Sequence, residues 1–106
     1  MYSILIVDDE PNYLIVMSEL LRDEGFEVFT ASNGREGLQA VKDVDLDLVI
    51  TDMQMPEMDG MQLLNHVKTF NRELPVIMIT AYAQVEKAVA AMQAGAFSYL
   101  AKPFSN

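Results

Sequence analysis

Four sets of polar side chains each close a short apolar segment of this sequence: Asp8-Asp9-Glu10, Asp52, Thr80 and Lys102. Three of the four residue types matter together. Carboxylates gathered at one place repel one another and take up protons unless a cation lies among them. A hard divalent cation with oxygen ligands meets that need, and Mg2+ in particular takes one or two carboxylates, keeps several waters and completes its shell with phosphate oxygens. The set therefore points to phosphoryl chemistry. Within it Lys102 would neutralise a phosphoryl oxygen as a compact charge, Thr80 would donate a hydrogen bond to another, and Asp52 would be the nucleophile.

Such residues act together only if the fold brings them to one edge. Ile4-Leu5-Ile6-Val7, Leu46-Asp47-Leu48-Val49-Ile50 and Val76-Ile77-Met78-Ile79 are short and nearly continuously apolar, as strands covered on both faces are. Phe26-Glu27-Val28-Phe29-Thr30 alternates, and the segment around Phe97, Tyr99 and Leu100 is partly polar, which suits edge strands. Between these five strands run four stretches of helical period. The first carries Leu14, Met17, Leu20 and Leu21, with Pro11 in its opening turn and Gly25 at its end. The second opens at Asn33 with Glu36 three residues on and buries Leu38 and Val41. The third opens at Asp59-Gly60 and carries Leu63, Leu64 and Val67. The fourth shows Val85, Ala88, Val89 and Met92 before Gly95. Alternating strands and helices over short links predict a doubly wound α/β domain with a five-stranded parallel sheet. Ligands of such sheets bind at the carboxyl ends of the strands, where all four polar sets lie.

Composition narrows the function further. A chain of 106 residues with 51% hydrophobic content holds one core and folds. Sixteen acidic against seven basic side chains give a net charge of −9, which disfavours direct contact with nucleic acid or anionic lipid and favours cations and basic surfaces. The absence of cysteine excludes disulfides, thiolate nucleophiles and Cys-based zinc sites. The apolar runs are of strand length, and Met1-Tyr2-Ser3-Ile4 has no basic region ahead of an apolar one. Neither a signal peptide nor a membrane span is expected, and a soluble, cytoplasmic protein is.

Asp8-Asp9 after the first strand, Asp52-Met53-Gln54-Met55-Pro56-Glu57-Met58-Asp59-Gly60 after the third, Thr80-Ala81 after the fourth and Lys102-Pro103-Phe104 after the fifth resemble the receiver domains of bacterial two-component response regulators. The match runs the length of the chain, and its fourth helix and Ala96–Phe104 segment look like those of nitrogen-regulator-type transcription activators. The resemblance implies the flavodoxin-like strand order 2-1-3-4-5. It implies that Asp52 accepts a phosphoryl group from a sensor histidine kinase. Asp9, Asp52 and the Gln54 carbonyl would bind Mg2+ directly, with Asp8 acting through water. Met53, Thr80, Ala81 and Lys102 would surround the phosphoryl group, and Thr80 and Tyr99 would form the switch that informs an output domain. On this reading the chain is a signalling module that assists its own phosphorylation and dephosphorylation rather than an enzyme acting on others. The resemblance also implies a cis Lys102–Pro103 bond, and a fifth helix that cannot form before Asn106. Residues 1–106 are therefore expected to be a truncated receiver, with an apolar face left open to self-association as a homodimer.

Plainer readings stand beside these. An Asp pair after a strand often caps a helix, Thr80 could cap the fourth helix, and Tyr99 could be an edge-strand aromatic. The lone His66 has no companion ligand, and the eight methionines read as core filler. A flavodoxin-like mononucleotide binder shares the architecture, but Asp8-Asp9-Glu10 would repel its phosphate. A haloacid-dehalogenase-like phosphatase would carry a second Asp two residues after the nucleophile, where Gln54 stands. A receiver-like module that has given up phosphorylation would have lost an acid, the Thr or the Lys.

Overall fold

The computed structural model describes residues 1–102. Five strands, β1 (Ser3–Val7), β2 (Glu27–Ala31), β3 (Leu48–Asp52), β4 (Val76–Thr80) and β5 (Ser98–Ala101), alternate with helices α1 (Pro11–Asp23), α2 (Gly34–Asp43), α3 (Gly60–Phe70) and α4 (Val85–Gln93). All the strands are parallel, in the order β2-β1-β3-β4-β5. The Lys102–Pro103 peptide bond lies outside the described residues.

Period-two alternation splits the core in two. Leu5, Val7, Val49, Val76 and Met78 face one way and meet Val41 of α2, Leu63, Leu64 and Val67 of α3 and Ala91 of α4. Ile4, Ile6, Ile50 and Ile79 face the other way and meet Tyr13, Leu14, Met17 and Leu21 of α1. The central strands are buried along nearly their whole length, as continuous apolar runs require, while the edge strand β2 exposes Glu27 and Thr30 and buries Val28 and Ala31. Strand β3 begins two residues later than the apolar run suggests and ends on Asp52 itself.

Helix ends follow local chemistry. Asn33 caps α2 by accepting from the Glu36 N–H, but the Glu36 carboxylate turns to the Ser32 N–H and hydroxyl instead of closing a capping box. The full reciprocal box is at α3, between Asp59 and Gln62. Helices α1 and α4 both stop in paired 6→1 and 5→2 bonds at Gly25 and Gly95, each at positive φ.

Two expected helix faces differ. Leu20 of α1 is exposed while Leu14, Met17 and Leu21 pack on the sheet. On α4 the bulky Val85, Val89 and Met92 point outwards, and the buried residue is Ala91, with Ala94 beside it in the core. Alanine lets this helix lie close to the sheet, so its larger residues are left on the far side.

Ser18 sits in the middle of α1, buried, with no hydrogen-bond partner for its hydroxyl among the described residues. A buried hydroxyl without a partner is costly, and serine is a poorer helix former than alanine. Ser18→Ala is expected to stabilise the domain by about 1 kcal/mol, read as a higher urea midpoint at unchanged m-value.

Candidate functional site

Parallel strands all end on one edge, so β1, β3, β4 and β5 deliver Asp8, Asp52, Thr80 and Lys102 to the same place. Asp8, the first residue past β1, is buried, and Asp9 and Glu10 are exposed. The Asp8 Oδ1 accepts from the Glu10 N–H at 2.8 Å, which closes the turn into α1. Its Oδ2 lies 2.9 Å from the Lys102 ammonium. The same ammonium is 3.4 Å from Asp52 Oδ2 and 3.7 Å from Glu10 Oε1. Lys102 reaches there because its backbone N–H is tied to the Thr80 carbonyl at 2.8 Å, extending the β4–β5 ladder by one rung.

Asp52 is held from below as well. The Gln54 N–H donates to its Oδ1 at 3.3 Å, and the Met53 N–H also faces it. The loop then makes a tight turn in which the Met58 N–H donates to the Pro56 carbonyl at 2.8 Å, with Glu57 at φ +68°. Gly60 closes the loop by donating to the Met53 carbonyl at 2.9 Å. A Cβ at Gly60 would press on the Asp52 carbonyl oxygen and stand 2.8 Å from the Met53 Cα, so only glycine lets α3 start this close to the acid.

The charges do not balance. One ammonium serves three carboxylates within 4 Å, with Asp9 adjacent. Burial and the negative charge of Asp8 push the Asp52 carboxyl above its ordinary pKa, against the pull of Lys102 and the two backbone N–H groups. Burial alone would lower the Lys102 pKa, but the hydrogen bond to Asp8 and the charges of Asp52, Asp8 and Glu10 outweigh it and leave it raised. Asp8, Asp9 and Asp52 each offer a carboxylate oxygen, and these oxygens lie within 4.8 Å of one another. A divalent cation with oxygen ligands fits that spacing and that donor set.

Other marked residues are placed less directly. Thr80 is buried; its hydroxyl accepts from the Tyr82 N–H at 3.3 Å and does not cap α4, whose N-cap is Gln84. Ala81 and Gln54 are exposed, and Met53 is buried. Tyr99 is half-buried on β5, and its hydroxyl accepts a long bond of 3.5 Å from the Gln84 N–H at the start of α4. Tyr99 thus touches α4 rather than the acids. His66 lies on the surface of α3.

Of two further site residues, Glu10 belongs to the acidic set after β1, and Tyr13 is not signalled by the strand-end pattern. Glu10 joins the ion-pair network, and Tyr13, in the first turn of α1, lies under the ammonium with its ring centroid 4.6 Å from Lys102 Nζ. Burial raises the Tyr13 hydroxyl to a pKa of about 12; Lys102 opposes this, and Asp8, Asp52 and Glu10 add to it. Pro11 at the helix start was the available signal, because it puts Tyr13 in the turn nearest the acids.

The raised Asp52 pKa carries a sign for stability. Its ionisation is disfavoured in the fold, so the penalty is absent below the ordinary carboxylate range and present in full above the folded pKa. In chelator-treated protein, Asp52→Asn should be more stable than the parent at pH 7, with the difference shrinking as pH falls through the acid range. Parallel pH-dependent urea titrations measure this. A difference that is constant with pH would contradict it.

Comparison with known proteins agrees with this geometry. A sequence model described as "Response regulator receiver domain" matches residues 4–106. The regulatory protein AtoC of Escherichia coli is 46% identical over 101 residues, which are 95% of this chain and 22% of that protein. The transcriptional regulatory protein ZraR of Klebsiella oxytoca is 44% identical over 101 residues, 95% of this chain and 23% of that protein. The chain thus spans less than a quarter of the length of these relatives. The crystal structure of the response regulator TrrA of Thermotoga maritima, in complex with Mg2+ and BeF, superposes with a TM-score of 0.90 at 35% identity, over 98% of this chain and 89% of that one.

Proposed function

The chain belongs to the response regulator receiver domain family, and from that premise we propose that it is a phosphoacceptor switch in which Asp52 receives a phosphoryl group. The observation that carries this reading is the Lys102 ammonium between Asp8 and Asp52, at 2.9 and 3.4 Å, in a pocket with more carboxylates than it can compensate. An Asp52 carboxylate oxygen attacks phosphorus in line. The O–P bond forms as the bond from phosphorus to the donor breaks, and the donor is a kinase phosphohistidine or a small acyl phosphate.

Asp8, Asp9, Asp52 and the Gln54 carbonyl would hold Mg2+, whose bound charge would offset that of the incoming phosphoryl oxygens. The TrrA complex with Mg2+ and BeF supports this for a relative of the same fold. Lys102 takes one phosphoryl oxygen, and the Thr80 hydroxyl and the Met53 and Ala81 N–H groups take the others. Positioning supplies most of the acceleration. Later hydrolysis of the acyl phosphate resets the switch.

The added group brings roughly −1.5 to −2 charges. It draws the Thr80 hydroxyl from the Tyr82 N–H, and Tyr99 then leaves Gln84 and frees the start of α4. The exposed Val85, Val89 and Met92 on α4, with Leu100 on β5, form the surface that reports the state to an output domain or a second copy. The name of ZraR, a transcriptional regulatory protein, supports an output in transcription, in line with nitrogen-regulator-type activators. The same reading makes a sensor histidine kinase the partner and the cytoplasm the location. Among the described residues, no helix is long and apolar enough to cross a membrane.

Asp52→Asn keeps the size of the side chain and deletes the nucleophile. With acetyl phosphate and Mg2+, the parent should gain one acid-labile phosphoryl group by intact-protein mass spectrometry and Asp52→Asn none; equal labelling of the two would refute the assignment.

Mg2+ should also stabilise the parent, by about 2.7 kcal/mol at a hundredfold excess over its Kd. For a domain of this size that amounts to a rise in Tm on the order of 10 °C. Asp9→Ala should lose most of the gain. A parent Tm indifferent to millimolar Mg2+ would count against the metal site.

A further inference from the structure

Lys102 must stay at the acceptor while its partners change. Its ammonium is paired with Asp8, Asp52 and Glu10, yet two of these are the carboxylates that a divalent cation would claim, and Asp52 is the one that a phosphoryl group would esterify. A contact that this exchange leaves untouched would keep the lysine in place; among its carboxylate partners only the exposed Glu10, at 3.7 Å, is one. The buried Tyr13 ring is another such contact, with its centroid 4.6 Å from Nζ, inside the range in which an aromatic face attracts an ammonium.

The ring is well fixed for this task. Tyr13 is only 5% exposed, anchored in the first turn of α1 and packed in the core cluster with Ile4, Ile6, Ile50 and Ile79. Lys102 is itself nearly buried, so the contact is shielded from water, the condition under which it is strongest. The ring holds the ammonium from the apolar side of the pocket, and the carboxylates hold it from the polar side.

We propose that Tyr13 is a positioning residue for phosphoryl transfer, whose ring face keeps the Lys102 ammonium at the acceptor when its carboxylate partners turn to a cation or to phosphorus. The proposal rests on the phosphoacceptor reading above. It assigns the work to the ring and not to the hydroxyl. Phenylalanine at this position should therefore serve, and leucine, of similar apolar character but without the ring's quadrupole, should not.

The test compares the parent, Tyr13→Phe and Tyr13→Leu, each with and without Lys102→Ala, in acetyl phosphate and Mg2+. Tyr13→Leu should label about tenfold more slowly than the parent, with the Mg2+-induced shift in Tm retained, and Tyr13→Phe should recover most of the rate. In the Lys102→Ala background, Tyr13→Leu should cause no further slowing. Three results would each overturn the role of Tyr13: a Tyr13→Leu rate equal to the parent's, a Tyr13→Phe rate as slow as that of Tyr13→Leu, or equal slowing by Tyr13→Leu in both backgrounds.

A second measurement needs only the parent and so survives any variant that fails to fold. Proton NMR of the Lys102 ε-methylene should show an upfield ring-current shift that persists when Mg2+ is added. Loss of that shift on adding Mg2+ would overturn the proposal even if labelling proceeds. A parent that takes up no phosphoryl group would instead sink the phosphoacceptor reading, and the role of Tyr13 with it; a labelled parent with no ring-current shift sinks the role of Tyr13 alone.

Discussion

The ion pair between Lys102 and Asp8 joins opposite parts of the sheet, and the site depends on it. Lys102 follows the edge strand β5, and Asp8 follows β1, three strands further in. An ammonium at the end of a long flexible stem can span β4 and β3 only if its backbone is fixed, and the Thr80 carbonyl fixes it. The pair is nearly buried, where an unpartnered charge would be costly, so each partner requires the other. Strand order, strand length and the close start of α3 at Gly60 all serve to put these two charges and Asp52 in one pocket.

That pocket is left under-neutralised, and this is what gives it chemistry. A site with equal charges of each sign would be a structural ion pair with little reason to bind anything more. Here a single ammonium faces Asp8, Asp52 and Glu10, and the carboxyl of Asp52 rises in pKa even though a cation is 3.4 Å away. Excess negative charge in a place where oxygen ligands lie within 4.8 Å of one another is relieved by a second, small cation. With such a cation bound the balance would tip, and on the proposed reading an anionic phosphoryl group would complete the site.

How far the sequence reveals this depends on the kind of signal. Asp8, Asp52, Thr80 and Lys102 were legible because each closes a strand, and parallel strands deliver their ends to one edge whatever the details of packing. The α3 face was legible because Leu63, Leu64 and Val67 are large and follow the helical period. On α4 the rule gives the helix but not its buried face. Val85, Val89 and Met92 follow the period too, yet they face outwards, because alanines on the opposite side pack closer to the sheet than the branched residues could. Hydrophobic period locates a helix, but where both faces are apolar it does not say which one is buried.

The outward face of α4 has physical consequences. A helix whose buried contact is Ala91, and whose N-terminus is met by one long bond from Gln84 to Tyr99, is weakly tethered compared with α3 and its full capping box. Elements that move in a switch are drawn from the least stable parts of a fold. On the proposed reading the exposed valines would be a surface for another chain, and the alanines below them would keep the energy of displacing the helix small. Tyr13 is the converse case. It too escapes any strand-end rule, but it is packed in the core, and on the proposed reading that packing lets it hold a lysine while Asp8 and Asp52 turn to a cation or to phosphorus. On the proposed reading the site pairs a buried aromatic wall on α1 with a lightly packed helix at α4, so that a change of charge on Asp52 would find the lysine already in place and would be spent on moving the helix.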